Sequence, residues 1–298
     1  MGPSGCGKTT LLDILADRVR TGSLEGSISL NGQPRKPAVF RTVARYIAQE
    51  DSLFGCFTVE ETLKMAANLT IPHSPESRSM IQSRVSRVIQ EMGLQSCAHT
   101  YVGDIFRKGI SGDQKRRLSI AIELLSNPSV LLLDEPTSGL DSCATFNLMK
   151  LLVNLCQQGH TIVCTIHQPS SLVYDTFTNI MILAKGETVY FGPRIALIPH
   201  FSALGHACPA YSIPSEYYIG LVNADFEGHG DIPPLLAAYS SSTVAKEVLA
   251  NIQNDQKSTV KPLSVALVKP TSVWQQFCVI FHRNSVKNIR NPGILPFV

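Results

Sequence analysis

The sequence predicts an α/β fold with a mostly parallel core sheet, an antiparallel β part and a helical subdomain. Three short apolar runs, Val130–Leu133, Thr161–Ile166 and Ile180–Leu183, have the continuous hydrophobicity of strands that are buried on both faces. Residues Cys143–Gln158 lie between the first two runs and have the spacing of a helix. Strands that alternate with helices indicate βαβ units, and therefore parallel strands.

Shorter segments predict the antiparallel part and one further strand. Residues Glu25–Gly32 alternate and end in Asn-Gly, which is typical of an antiparallel strand followed by a tight turn. Val43–Ala48 predicts a short strand that leads to Gln49. The dipeptide Lys185-Gly186 predicts the turn of a hairpin whose second strand is Glu187–Phe191.

The region from about residue 55 to 125 is predicted to form the helical subdomain. One helix is expected at Val59–Asn68. A second is expected at Glu76–Met92, because its apolar residues recur at helical spacing and Gly93 follows as a stop signal.

Composition excludes several classes of protein. A net charge of +3 over 298 residues argues against a dedicated nucleic-acid binder. The eight cysteines contain no Cys-x-x-Cys pair, which fits reduced thiols better than a disulfide framework or a zinc site. The sequence contains no apolar stretch of the length of a transmembrane helix and no signal peptide.

The start of the sequence has the pattern of a phosphate-binding loop, formed by Gly2, Pro3, Ser4, Gly5, Cys6, Gly7, Lys8, Thr9 and Thr10. Glycines let the backbone curl so that its N–H groups point at phosphate oxygens, and the helix that follows adds its positive dipole end. We expect Lys8 to reach the β- and γ-phosphates, Thr9 to bind Mg²⁺ and Cys6 to fill space. The alternative is a glycine-rich turn before an ordinary amphipathic helix at Leu11–Ala16.

A second candidate site follows the apolar run Val130–Leu133. Asp134 stands where a carboxylate can bind Mg²⁺, and Glu135 stands beside it, where it can polarise an attacking water. The alternative is a pair of solvated acids at a strand end. Four buried aliphatic residues and a phosphate loop upstream favour the functional interpretation.

A third candidate precedes the helix that begins near Lys115. Ser111 and Gln114 have the spacing of a capping box. The segment Ser111-Gly112-Asp113-Gln114 is therefore either a well-capped helix start or a second anion site, made of a hydroxyl, free backbone N–H groups and a helix dipole.

Five motifs occur in a fixed order along the chain: Gln49, Ser111-Gly112-Asp113-Gln114, Asp134-Glu135, Ser138-Gly139-Leu140-Asp141 and His167. With the phosphate loop, this order closely resembles the nucleotide-binding domain of the ATP-binding cassette ATPases, a P-loop NTPase fold, from residue 2 to about 225. The resemblance implies ATP and Mg²⁺ as ligands.

The resemblance also implies roles for individual residues. Gln49 would sense Mg²⁺ and couple to the membrane domain, and it joins Thr9 and Asp134 as a metal ligand. Asp141 would belong to the loop that crosses a dimer interface. His167 would contact the γ-phosphate, and Glu135, His167 and Gln49 would form the catalytic set.

Three segments resemble the G (White) subfamily, in which the cassette precedes the membrane domain: Leu133–Ser142, Ile166–Ser171 and Val189–Gly192. Pro214–Tyr218 and Asn223–Phe226 are similar to the cassette tail of half-size plant-type members, although Ile213 and Glu216 replace the more usual Asn and Asp.

Asp113 departs from the family pattern, which usually has a second glycine there. The family resemblance implies that this backbone approaches the γ-phosphate of the ATP held by a partner subunit. A carboxylate adds negative charge near that phosphate, and its Cβ crowds a close contact. We therefore expect weakened closure of the composite site, to be tested by replacing Asp113 with glycine and measuring ATPase activity in the assembled transporter.

Met1 directly precedes the phosphate loop, which normally begins at the end of a buried strand. We therefore expect the family's N-terminal strands and its adenine-stacking aromatic residue to be missing, with Met1 an internal residue or the chain a fragment. Loss of that aromatic would weaken nucleotide binding by roughly 1–3 kcal/mol.

The C-terminal part is predicted to leave the cassette. Residues 226–265 are rich in turn signals and predict a linker. Residues 266–298 would hold an amphipathic connecting helix at Val273–Phe281, flanked by His282, Arg283, Lys287 and Arg290, and the start of a transmembrane span at Gly293–Val298. The alternative is an amphipathic helix that packs on the domain.

These observations predict the ATPase domain of a half-size exporter at the cytoplasmic face of a membrane, acting on lipids or other hydrophobic molecules. Its partner would be an identical or related half-transporter, and no nucleic acid is expected. Two alternatives stay open: a truncated, catalytically weak or inert cassette, and a soluble ATPase of the same superfamily.

Overall fold

A computed structural model describes residues 1–19, 21–72, 77–223, 230–257 and 271–290. The chain divides into two compact units, and the α/β class is confirmed by the elements of both. The first unit comprises Met1–Arg41, Leu132–Thr137 and Val163–Val265, and the second comprises Thr42–Leu131, Ser138–Ile162 and Ala266–Val298.

The strands are β1 (Ser29–Leu30), β2 (Gln33–Pro34), β3 (Ala44–Ile47), β4 (Val130–Leu133), β5 (Thr161–Cys164), β6 (Asn179–Ala184) and β7 (Glu187–Pro193). The helices are α1 (Lys8–Leu15), α2 (Pro37–Val43), α3 (Val59–Thr70), α4 (Ser77–Glu91), α5 (Gly112–Leu124), α6 (Ser142–Gln157), α7 (Ser171–Tyr174), α8 (Arg194–Ala203), α9 (Pro214–Leu221), α10 (Ile232–Ser241), α11 (Thr243–Lys257) and α12 (Val273–Arg290), with a 3₁₀ turn at Gln95–Cys97.

The predicted parallel sheet is confirmed for the first two apolar runs, with the strand order β3-β4-β5. The third run, in β6, pairs antiparallel with β7 in a separate sheet. The residues of β5 are exposed or half-buried, whereas the apolar run predicts burial on both faces. The N–H of Thr161 donates to the carbonyl of Ser129 at 2.8 Å, and the N–H of Thr165 donates to that of Leu133 at 3.0 Å. Both partners advance by the same number of residues in the same direction, so β4 and β5 are parallel. The strand β5 ends at Cys164, two residues before the predicted end at Ile166.

The two predicted antiparallel turns are both present. β6 pairs with β7, with Ile182 opposite Tyr190, and the turn between them places Lys185 at a φ of 51°. The earlier pair, β1 and β2, is shorter than the predicted Glu25–Gly32 and pairs only two residues per strand. Asn31 and Gly32 take positive φ values of 49° and 72°, as a hairpin turn of this length requires.

The first unit has an aromatic core. The rings of Phe201 and Tyr218 stack with centroids 4.4 Å apart, and Tyr190 lies fully buried beside Phe201. Burial raises the pKa of the Tyr218 hydroxyl to about 12. The core fixes the β6–β7 hairpin, and Leu183 of β6 in turn donates its N–H to the carbonyl of Met1 at 3.0 Å.

Part of the segment predicted as a linker is helical. Helices α10 and α11 pack against β7, where the Tyr239 hydroxyl donates to the Phe191 carbonyl at 2.9 Å. Proline is tolerated in the first turn of a helix, so Pro233 and Pro234 start α10 rather than mark a loop. The predicted positions Glu76, Ala224–Phe226 and Gly293–Val298 lie outside the described residues.

The second unit contains the predicted helical subdomain. Helices α3, α4 and α5 pack together, and Leu63, Val85 and Leu118 are completely buried among them. Helix α12 packs on α3, where the buried Gln275 amide donates to the Asn68 carbonyl at 2.7 Å. Over the described ranges, every helix falls short of the length and apolarity that crossing a bilayer requires.

Candidate functional site

The phosphate loop closes around the ammonium group of Lys8. Its Nζ donates to the carbonyl oxygens of Gly2 at 2.9 Å and Pro3 at 2.8 Å, and the residue is 8% exposed. Gly7 caps the N-terminus of α1 with a φ of 96°. The chain therefore curls before the predicted helix, and the lysine at the start of α1 turns back into the loop. Its contact with the β- and γ-phosphates stays a prediction.

Gly2 is held against β6 more tightly than the other loop glycines. Its φ is 151°, and an added Cβ would lie 2.3 Å from the Leu183 carbonyl oxygen and 2.7 Å from the Cys6 sulfur. By contrast, a Cβ on Gly5 would have no neighbour within 4 Å. Cys6 itself is buried, as expected of a residue that fills space.

The structure brings the phosphate loop to the acidic strand end. The Thr9 hydroxyl donates to Asp134 Oδ1 at 3.1 Å, although 125 positions separate the two residues. Asp134 is 4% exposed, directly after the buried β4. Thr9 and Asp134 are thus close enough to share one cation, and their binding of Mg²⁺ stays a prediction.

A residue that the sequence analysis missed joins this cluster. The Thr165 hydroxyl donates to Asp134 Oδ1 at 2.6 Å and accepts the Glu135 backbone N–H at 2.8 Å. Glu135 has a φ of 41°, which residues with side chains rarely adopt. The available signal was the polar threonine at the end of an apolar run, two positions before His167.

The chemistry of this cluster fits a magnesium nucleotide. Among the described residues, no carboxylate lies within salt-bridge distance of Lys8. Neutral carbonyl oxygens hold its buried ammonium group, which therefore has no counter-anion among these residues. The described residues also contain no group of three His, Cys, Asp or Glu side chains that could hold a metal. Mg²⁺ typically takes one or two protein oxygens and completes its shell with phosphate and water, which Thr9 and Asp134 allow.

His167 belongs to the same unit as the phosphate loop. It follows β5 by three positions and is exposed. Its contact with a γ-phosphate stays a prediction.

Gln49 and the signature segment belong to the second unit. Gln49 follows β3 and is exposed, and its backbone carbonyl accepts a hydrogen bond from the Arg116 guanidinium at 3.2 Å. The same guanidinium donates to the Ala48 carbonyl at 2.6 Å and to Asp51 at 3.2 Å. Helix α5 therefore holds the end of β3, where Gln49 begins the next loop.

The Asp113 carboxylate accepts hydrogen bonds from two side chains of the signature segment and α5. The Ser111 hydroxyl donates to Asp113 Oδ1, and the Arg117 guanidinium donates to Oδ2 at 2.8 Å. Burial raises the pKa of Asp113, but the hydrogen bonds from Ser111 and Arg117 outweigh it and lower the pKa below its usual range. The carboxylate is therefore charged at neutral pH, and it engages the hydroxyl that the signature would offer to a phosphate.

The predicted contact between Ser111 and Gln114 at the start of α5 is present. Gln114 Oε1 accepts the Ser111 backbone N–H at 3.0 Å. Asp141 also caps a helix, because its carboxylate accepts the Ala144 N–H at 2.8 Å at the start of α6. A role for Asp141 at a dimer interface stays a prediction.

Comparison with known proteins identifies the family. The family described as ABC transporter matches residues 1–138, and the family described as ABC-2 type transporter matches residues 167–232. The structure of cbiO1 from Clostridium perfringens, part of the ABC transporter complex cbiONQ, superposes with a TM-score of 0.56 and 25% identity, over 69% of this chain and 80% of that chain.

Curated relatives give a finer placement. ABC transporter G family member 1 of Dictyostelium discoideum is 45% identical over 78% of this chain and 29% of its own length. G family member 22 of the same organism is 37% identical over 98% of this chain and 48% of its own length. The broad substrate specificity ATP-binding cassette transporter ABCG2 of Bos taurus is 40% identical over 76% of this chain and 34% of its own length.

The chain thus spans between 29% and 48% of the length of these relatives. Their names agree with the family that the motif order predicts. The chain belongs to the ATP-binding cassette transporter family, and within it to the G subfamily.

Proposed function

We propose that this chain is the ATP-binding and ATP-hydrolysing part of an exporter that moves lipids or other hydrophobic molecules across a membrane. The observation that carries the proposal is the cluster of Lys8, Thr9, Asp134 and Glu135 in one compact unit. The named relatives are all transporters, which favours this function over that of a soluble ATPase.

The residues of the cluster divide the chemistry of phosphoryl transfer to water. Lys8 binds the terminal phosphates and offsets charge that develops in the transition state. Glu135 orients and polarises the attacking water, and His167 contacts the γ-phosphate from the end of β5. A magnesium ion held by Thr9 and Asp134 would supply electrostatic stabilisation of the phosphate oxygens.

Membrane association is proposed from the exposed face of α12. The rings of Trp274, Phe277 and Phe281 stack in a row along this helix, and Trp274 is 73% exposed. Arg283 and Lys287, which belong to the same helix, lie over the ring of Phe54. Aromatic side chains beside basic ones suit a helix that lies at the cytoplasmic surface of a bilayer.

The partner is proposed to be a second half-transporter, identical or related. Each ATP would lie between the phosphate loop of one subunit and the signature segment of the other. A catalytically weak cassette is the second candidate, because Asp113 binds the Ser111 hydroxyl within the signature.

The proposed activity is tested on the purified chain by nucleotide binding and ATP hydrolysis. We expect Lys8→Met to weaken ATP binding at least about tenfold, since it removes the buried ammonium. We expect Glu135→Gln to keep ATP binding and to lower kcat by about 100-fold or more. Glu216→Gln on α9 is a matched control outside the cluster.

Two results would decide against the proposal. If the wild-type chain binds no ATP, the inert cassette is the better description. If Glu135→Gln hydrolyses ATP at the wild-type rate, the residue has no part in activating water.

A further inference from the structure

Thr165 is a buried hydroxyl that none of the predicted motifs includes. It is 7% exposed and directly follows β5. Its backbone N–H already pairs with Leu133 in the sheet, so the side chain is not needed to complete the strand. The hydroxyl instead contacts two neighbouring acidic residues on the adjacent strand end.

The Thr165 hydroxyl donates one hydrogen bond and accepts another. A threonine hydroxyl has a single proton to donate, and that proton goes to Asp134 Oδ1 at 2.6 Å. Its lone pairs accept the Glu135 N–H at 2.8 Å. The Thr165 side chain, directly after β5, therefore restrains both the carboxylate of Asp134 and the backbone of Glu135.

The hydrogen bond from Glu135 to Thr165 forms at a residue with an unfavourable backbone conformation. Glu135 lies in the left-handed region with a φ of 41°. Such a conformation persists only when surrounding contacts hold it. The hydrogen bond from the Glu135 N–H to Thr165 is a contact of this kind, and it sets the direction from which the Glu135 side chain leaves the strand.

We propose that Thr165 is a positioning residue for ATP hydrolysis: it orients Asp134 toward the magnesium site and fixes Glu135 where it meets the attacking water. The inference rests on the proposed function of this cluster. Because Thr9 also donates to Asp134 Oδ1 at 3.1 Å, the carboxylate lies between two hydroxyls and has little freedom to turn. Groups that orient a metal ligand in this way typically account for about 10- to 100-fold in metal affinity or activity.

The test compares two variants of the full chain. Thr165→Val keeps the shape of the side chain and removes the hydroxyl, and Thr165→Ser keeps the hydroxyl and removes a methyl group. We expect Thr165→Val to lower kcat or to raise the half-saturating Mg²⁺ concentration by about 10- to 100-fold. We expect Thr165→Ser to stay within about threefold of wild type. ATP binding without Mg²⁺ should be alike in all three proteins, because Lys8 and its loop are unchanged.

A second measurement needs no activity. Amide hydrogen exchange of the peptide that contains Glu135, in the absence of nucleotide, should be about 5- to 10-fold faster in Thr165→Val and unchanged in Thr165→Ser. A purely structural role would shift the melting temperature of both variants and leave the Mg²⁺ dependence alone.

Each outcome decides the proposal. Wild-type exchange and wild-type Mg²⁺ dependence in a folded Thr165→Val would overturn it, and so would equal damage in both variants, because the hydroxyl would then not be the cause. If the wild-type chain hydrolyses no ATP, the proposed function is wrong, whatever the role of Thr165. The exchange experiment would still show whether Thr165 holds Glu135.

Discussion

Replacing Gly2 with alanine tests how closely the phosphate loop must pack on the sheet. The new Cβ would lie 2.3 Å from the Leu183 carbonyl oxygen, a distance that real Cβ atoms essentially never show. The neighbour is backbone in a buried strand, so the loop must move rather than β6. A shift of roughly 1 Å would separate the Met1 carbonyl from the Leu183 N–H, which are now hydrogen-bonded at 3.0 Å.

The expected cost is a sum of three contributions. The positive φ of 151° is unfavourable for alanine and costs about 1–3 kcal/mol. Overpacking against a backbone that cannot yield costs a further 1–3 kcal/mol or so. Loss of the Met1–Leu183 hydrogen bond adds about 1 kcal/mol. We therefore expect the free energy of unfolding to fall by roughly 3–7 kcal/mol and ATP binding to be lost with the displaced loop.

Gly5→Ala is the matched control. Its φ of 74° is also positive, but its added Cβ would meet no atom within 4 Å, so only the conformational term of about 1–2 kcal/mol applies. Denaturant unfolding and ATP titration of both variants compare the two positions directly. If Gly2→Ala proves no less stable than Gly5→Ala, the close approach to Leu183 does not govern the loop and the reasoning is wrong.

Two further predictions concern the second unit. Asp113→Gly should raise the ATPase rate of the assembled transporter, because it frees the Ser111 hydroxyl and removes a negative charge that the proposed composite site would bring near phosphate; an unchanged rate would contradict this account. The Arg290 guanidinium, bonded to both carboxylate oxygens of Glu61 at 2.7 and 2.9 Å, holds the pKa of Glu61 below its ordinary value of 4.5. Because the pKa of Glu61 is lower in the folded state than in the unfolded state, the ion pair stabilises the fold above about pH 4.5. This stabilisation is lost as the pH falls through the folded-state pKa. Since both side chains are about a third exposed, Glu61→Gln should lower stability at pH 7 by about 1 kcal/mol or less and flatten its decline in acid. Chemical unfolding across pH checks this, with Arg290→Met as a second variant expected to behave alike; wild-type acid dependence in both would refute it.

The sequence by itself determined the features that depend on residues close together in the chain. The phosphate loop needs glycines and a lysine within a few positions, and β4 needs a run of buried aliphatic residues. The turn at Asn31-Gly32 needs residues that tolerate positive φ. In each case the local backbone preference and the side-chain pattern favour the same structure, so tertiary contacts had nothing to override.

Only the tertiary structure decided which distant side chains meet. Thr165 and Asp134 are 31 positions apart, and their contact follows from the register of two parallel strands, which a single sequence does not specify. The helices α10 and α11 form where turn-forming residues predict a linker, because β7 offers an apolar surface that makes their burial favourable.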